Sequence, residues 1–174
     1  MRKVVNIVII VTLLLALTGC GSRVLSKKED SSNGNSMKIV NPIQTVTKEE
    51  LVERTGIEVD APEGAGDVSY TIISTGETDP IAQVKFSWHD NNVTMRAKTV
   101  SGGEMEDISG LYYDWEESLD ASVGEHMATI YLQGEVGYFA WMDVALGIQY
   151  NLSMTTGANA EELLTLAEMI FESK

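Results

Sequence analysis

A lone thiol at Cys20, imidazoles at His89 and His126, and 26 carboxylates are the groups of this 174-residue chain with chemistry to offer. A single cysteine rules out an intrachain disulfide framework and a Cys-rich zinc site. The two histidines stand in neither an H-x-x-x-H nor an H-E-x-x-H frame, so they read as polar residues beside turns. No G-x-S-x-G elbow, S-x-x-K pair or P-loop occurs. Gly64-Ala65-Gly66 joins a helix to a strand, which is the wrong context for a phosphate cradle. Carboxylates do acid–base work only where burial or close pairing moves their pKa values. The expectation is therefore no enzyme, no cofactor and no metal.

The carboxylates are unevenly spread. From Thr99 through Ser173 there are 14 Asp or Glu and no Lys or Arg, and eight of the acids fall between Glu104 and Glu125. They surround an aromatic run, Leu111-Tyr112-Tyr113-Asp114-Trp115-Glu116-Glu117. Such a surface can present hard oxygen ligands to Ca²⁺ or receive a cationic peptide, or simply keep an acidic protein soluble. The spacing matches no EF-hand. Tyr113, Asp114, Trp115, Glu116, Glu117 and Asp120 form the candidate partner surface. Alternation puts Tyr113 and Trp115 on one side of an extended segment, where a ring either plugs the end of the core or forms a binding platform. A net charge of −14 argues against contact with nucleic acid or an anionic membrane through a basic patch.

Cys20 has a more specific setting. Arg2 and Lys3 precede an apolar run, Val4 to Leu17, interrupted only by Asn6 and Thr12 and followed by Leu17-Thr18-Gly19-Cys20. That is the layout of a secretory signal, and the run falls short of the ~20 residues of a spanning helix. Its last four residues resemble the bacterial lipobox, in which the Cys thiol accepts a diacylglyceryl group before cleavage. Residues 1–19 are then a lipoprotein signal peptide, and removing Arg2 and Lys3 takes the charge from −14 to −16. Two or three acyl chains, at ~0.8 kcal/mol per buried CH₂, anchor far better than one.

Beyond Cys20, residues 20–37 are rich in Ser, Gly, Asn and charge and read as a flexible tether, leaving 38–174 as one domain. Thr47-Lys48-Glu49-Glu50 fits a capping box, with Val46 and Leu51 as a hydrophobic staple and Gly56 as the stop of a helix over about 48–55. Tyr70 to Ile73 reads as a strand. Ala82, Val84, Phe86 and Trp88 alternate with polar residues, as do Val93, Met95 and Ala97, which predicts a hairpin turning at Asp90-Asn91-Asn92. Three more strand-like runs cover Met127 to Gln133, Tyr138 to Leu146 and Ile148 to Thr155. A last helix is capped by Asn159, with Glu162 at N3 and Leu163, Leu166, Ala167 and Ile170 at helical spacing. The expected fold is α+β, a meandering antiparallel sheet of about six strands with both helices on one face.

Taken together, Asp107 through Trp115, Trp141 through Met154 and the Glu161-Glu162-Leu163-Leu164 helix resemble a domain family of unknown function in extracytoplasmic bacterial lipoproteins, chiefly Gram-positive ones. Related domains form the outer ends of anti-sigma-factor-like membrane proteins. The likeness spans about residues 39–174. It implies an accessory or sensory role at the cell surface, and carries no catalytic residue. The expected protein is a non-enzymatic binding or regulatory module with a monomeric domain, facing outward from the cell membrane. Its partners are the membrane, through the acyl chains, and a cationic or envelope protein. A carrier of an apolar ligand in a concave sheet, a hydrolase with an unrecognised site and a purely structural envelope protein are the alternatives.

The anchor gives the first prediction. Cys20→Ala leaves the chain without acyl groups, so cells labelled with a radioactive fatty acid incorporate label into the parent and none into the variant. Equal label in both rules out acylation at Cys20.

Overall fold

The computed structural model describes residues 42–74, 76, 79–101 and 103–172. The signal segment, Cys20, the tether and the start of order near Ile39 lie outside the described residues. Eight strands and two helices follow: β1 (Ile43–Val46), α1 (Lys48–Thr55), β2 (Gly66–Ile73), β3 (Ile81–Trp88), β4 (Asn91–Thr99), β5 (Glu117–Val123), β6 (His126–Gln133), β7 (Val136–Asp143), β8 (Ile148–Met154) and α2 (Ala160–Glu172).

All eight strands form one antiparallel sheet in the order β1-β2-β3-β4-β8-β7-β6-β5. The expected α+β class holds, but eight strands replace about six, and the sheet is two four-stranded meanders joined where β4 pairs with β8. Because β5 sits at the far border, the connection from β4 crosses the positions of β8, β7 and β6. Residues 100, 101 and 103–116 are described along that crossing.

The helix ends follow from their caps. Thr47 Oγ1 accepts from Glu50 N and Thr47 N donates to the Glu50 carboxylate, both at 3.2 Å, closing the capping box. Gly56 ends α1 at φ +69°, a left-handed conformation that a side chain would strain. Asn159 Oδ1 accepts from Glu162 N at 2.9 Å and starts α2. The β3–β4 hairpin turns one residue earlier than the sequence suggests. Trp88 pairs with Asn91, and the loop is His89-Asp90, both at positive φ. That is the backbone of a type I′ turn, whose twist matches the flanking strands, so Asn91 and Asn92 belong to β4.

Alternation assigns one face of the sheet to the core. Phe86, Val93 and Met154 lie on neighbouring strands, as do Val84, Met95, Leu152, Phe139 and Ile130 in the next row, all buried. Leu51 of α1 and Leu163, Leu166, Ala167 and Ile170 of α2 join that same apolar cluster, so both helices cover this face. Trp141 stacks on Tyr150 across β7 and β8, with centroids 5.1 Å apart.

Gly137 on β7 permits the approach of α2. A Cβ there would meet Tyr131 O at 2.7 Å and Leu163 Cδ1 at 3.3 Å. Gly137→Ala is therefore expected to cost about 1–3 kcal/mol through overpacking. Gly66→Ala, whose Cβ would find Ser87 Cβ at an ordinary 3.8 Å, should stay within about 0.5 kcal/mol. Thermal unfolding of the two variants checks the contrast.

Candidate functional site

The second face of the sheet is polar and yet largely buried. One register row runs Thr71, Gln83, Arg96, Asn151 across β2, β3, β4 and β8, and the flanking rows add Lys98, Gln149 and Ser153. Six of these seven are buried, Arg96 being partly so. The strap, residues 100, 101 and 103–116, lies over Arg96, Lys98 and Gln149. Buried polar groups are costly unless hydrogen-bonded. The strap supplies partners for Arg96, Lys98 and Gln149, Ser153 Oγ donates to Thr94 O at 3.2 Å, and Asn151 Oδ1 is left without a hydrogen-bond partner. Gln149 grips Glu106 in both directions, accepting from its N–H at 2.9 Å and donating to its carbonyl at 2.7 Å. Lys98 Nζ donates to the Glu106 carboxylate at 2.7 Å. Arg96 Nη1 donates to Ile108 O at 2.9 Å, and Arg96 Nε to Gln83 Oε1 at 2.8 Å. Gly110 lies directly against the guanidinium at φ +70°, where any Cβ would collide with it.

Between this strap and the β1–β3 side of the sheet lies an open groove of about 550 Å³. Its floor is a row of three isoleucines, Ile43, Ile73 and Ile81, paired across β1, β2 and β3. Leu111 and Tyr112 of the strap form the wall, and Arg96, Lys98, Glu106 and Asp107 supply charge. Tyr112 is 97% exposed. Burial works against the charge of Arg96, while Tyr112 and Asp107 favour it. The hydrogen bonds of its guanidinium go to neutral oxygens.

The candidate residues read from the sequence sit beside this groove rather than in it. Trp115 packs edge-on against Tyr138 at 5.0 Å, Tyr113 leans on Trp115 at 5.5 Å, and Tyr131 stacks on Tyr138 at 4.6 Å. The four rings form a cluster on the second face, with Trp115 half-buried and Tyr113 exposed, away from the helix-covered core. Asp114, Glu116, Glu117 and Asp120 are all exposed. Glu116 accepts from Gln133 Nε2 at 2.9 Å, and Glu117 and Asp120 lie on β5. Among the described residues, no three His, Cys, Asp or Glu converge to hold a metal ion. His89 Nδ1 sits 3.2 Å from Glu162 Oε1 at one end of the sheet, and His126 packs against Phe171 at the other. Sequence reasoning missed Arg96, Lys98, Gln83 and Gln149. Their signal was present as polar residues at every second position of β3, β4 and β8, the pattern of a sheet face that will be covered by something able to hydrogen-bond.

A titratable cluster on the core side holds α1 in place. Asp60 accepts from Tyr70 Oη at 2.6 Å and from Lys48 Nζ at 2.5 Å. Burial raises the Asp60 pKa, but the hydrogen bonds from Lys48 and Tyr70 outweigh it and leave the carboxyl below its usual range. Burial and the Asp60 hydrogen bond push the Tyr70 hydroxyl well up.

No helix among the described residues is long and apolar enough to cross a membrane. The chain matches no family model, no curated protein and no solved structure.

The Asp60 cluster sets a pH window. The depressed Asp60 contributes stability that is present above pH 3.8 and is lost as pH falls through its folded value. The raised Tyr70 contributes below pH 10 and is lost as pH rises through its folded value. A half-exposed pair is worth up to about 1 kcal/mol. Asp60→Asn should accordingly lower the unfolding temperature by about 3–5 °C near neutrality. The gap should narrow as pH falls below 3.8 through the folded value of Asp60; a constant gap across that titration assigns the effect to packing alone.

Proposed function

We propose that the chain is an extracytoplasmic lipoprotein, held at the membrane by acyl chains on Cys20. Its domain is a non-enzymatic binding or regulatory module. The observation that carries this reading is the groove under the strap. Three aliphatic side chains in register make an apolar floor beside a partly buried guanidinium bonded only to neutral oxygens. A few convergent polar groups around an apolar concavity are the usual makings of a ligand site. The helix-covered face, in contrast, is filled by Phe139, Trp141, Met95 and Leu152.

The occupant that fits is a segment of an envelope protein, with aliphatic side chains on the isoleucine floor and cationic flanks meeting the carboxylates of the strap and of β5. The same floor suits a short acyl chain, the reading in which the domain carries an apolar ligand.

A photo-crosslinking amino acid at Tyr112 in intact cells separates these. The expected result is a protein adduct at Tyr112, absent when the probe replaces Asp90 at the opposite end of the sheet, and lost in Ile43→Glu. A lipid-sized adduct favours the carrier. Identical adducts at both positions, or an adduct indifferent to Ile43→Glu, remove the groove from the function.

A further inference from the structure

Strand pairing fixes which loops share an end of the sheet. Ile43, where the described chain enters the domain, pairs with Ile73, and Ile73 with Ile81. Farther along the same end, Lys98 pairs with Gln149, and Gln149 with Met142. Val123 pairs with His126 and Asp143 with Ile148, so the β5–β6 and β7–β8 turns also lie here. Around the β5–β6 and β7–β8 turns this end is apolar where it meets solvent. Met127 is 79% exposed, Val144 77% and Leu146 64%, and Met105 from the base of the strap is 45% exposed. Met105, Met127, Met142 and Val144 line one shallow hollow of about 500 Å³, so they form a patch and not scattered side chains. The turn is held rigidly. Asp143 Oδ1 accepts from Leu146 N at 3.0 Å, and Gly147 O accepts from Val100 N at 2.8 Å, which commits Val144 and Leu146 to the solvent side. The opposite end carries His89-Asp90 and Gly134-Glu135, with exposed polar side chains.

An exposed apolar patch of this kind marks a docking surface. We infer that this end of the sheet is a lipid-facing surface, seated on the membrane that holds the anchor, with Val144 and Leu146 entering the interface. The inference rests on the lipoprotein reading above. The point at which the chain enters the domain favours lipid as the occupant. The described chain enters the domain at this end, and only 21 residues separate Pro42 from Cys20, about 75 Å at full extension, so an anchored domain stays near the bilayer at high effective concentration. The lining of the hollow has no Lys or Arg, its one imidazole being His126. Its rim carries Glu104, Glu125 and Asp143, so contact comes from apolar side chains and is limited in depth to the turns. A bilayer poor in anionic lipid suits it best.

The test uses the full chain, recovered from membranes in detergent and reconstituted into phosphatidylcholine vesicles. An environment-sensitive dye is placed at Leu146→Cys or at Asp90→Cys, and lipids spin-labelled near the headgroup serve as quenchers. The chain without an added cysteine gives the background. Quenching at position 146 should exceed that at 90 by about twofold or more. It should fall toward the value at 90 when phosphatidylglycerol replaces phosphatidylcholine at low salt, and recover as salt rises. Moving the dye to Met127→Cys and adding Val144→Ser and Leu146→Ser should reduce the quenching. Equal quenching at 146 and 90 overturns the inference while leaving the anchor intact. A dye at 146 that shifts with protein density but ignores the lipid quencher makes the patch a contact between copies, and also overturns it. A chain that does not float with the vesicles overturns the anchored reading itself.

Discussion

The pairing of β4 with β8 is the constraint on which the rest of the domain depends. It joins two local meanders into one sheet and places β5 four positions away from the strand that precedes it. The chain must then return across three strands. It does so over the face that the helices leave open, and that route decides the chemistry of the face. Side chains beneath a strap must satisfy its backbone as well as themselves, which is why Gln83, Arg96, Lys98 and Gln149 stand where a sheet open to water would carry ordinary solvated residues. The groove is the part of that face that the strap does not fill.

The two faces thus cohere by different means. The helix side is held by close apolar packing, including the stacked Trp141 and Tyr150 and the contact that Gly137 makes possible. The strap side is held by hydrogen bonds of known direction. Packing is non-directional and tolerates exchange of like for like. A two-way amide clasp such as Gln149 on Glu106 does not, because removing one partner strands the other in a buried position.

Much of this was legible in the sequence wherever the determining contact is local. The capping box at Thr47, the stop at Gly56, the Asn159 cap and the apolar spacing of α2 are all encoded within a few residues. The hairpin strands β3 and β4 are legible because alternation is strong on both. The turn between them was not placed correctly, since Asp90-Asn91-Asn92 has turn-forming composition but the pairing of Trp88 with Asn91 closes the loop earlier. Two strands escaped notice for a common reason. Ile43–Val46 is four residues long, and Glu117–Val123 is largely exposed and acidic. Each is a strand because a neighbour offers it hydrogen bonds, not because its own residues demand one. The groove was invisible for the same reason, since its floor unites residues from three strands and its wall comes from a loop. The aromatic run at Tyr112 to Trp115 was visible as a feature, but its partners Tyr131 and Tyr138 become neighbours only through the β6–β7 pairing.

The acidic border strand β5 has a consequence for how such domains coexist. An open sheet offers its border as a template for another sheet, and long exposed borders invite fusion of neighbouring molecules. Here the border carries Glu117 and Asp120, interspersed with Ser118, Leu119, Ala121 and Ser122. Two copies meeting border to border would set these carboxylates against their counterparts at about 5 Å, a repulsion near 1 kcal/mol per pair even in water. Under the lipoprotein reading proposed above, the molecules are confined to two dimensions and collide often and in a restricted set of orientations. For them, a repulsive seam along the one long exposed strand preserves lateral freedom: neighbours slide past each other instead of zipping into a continuous ribbon.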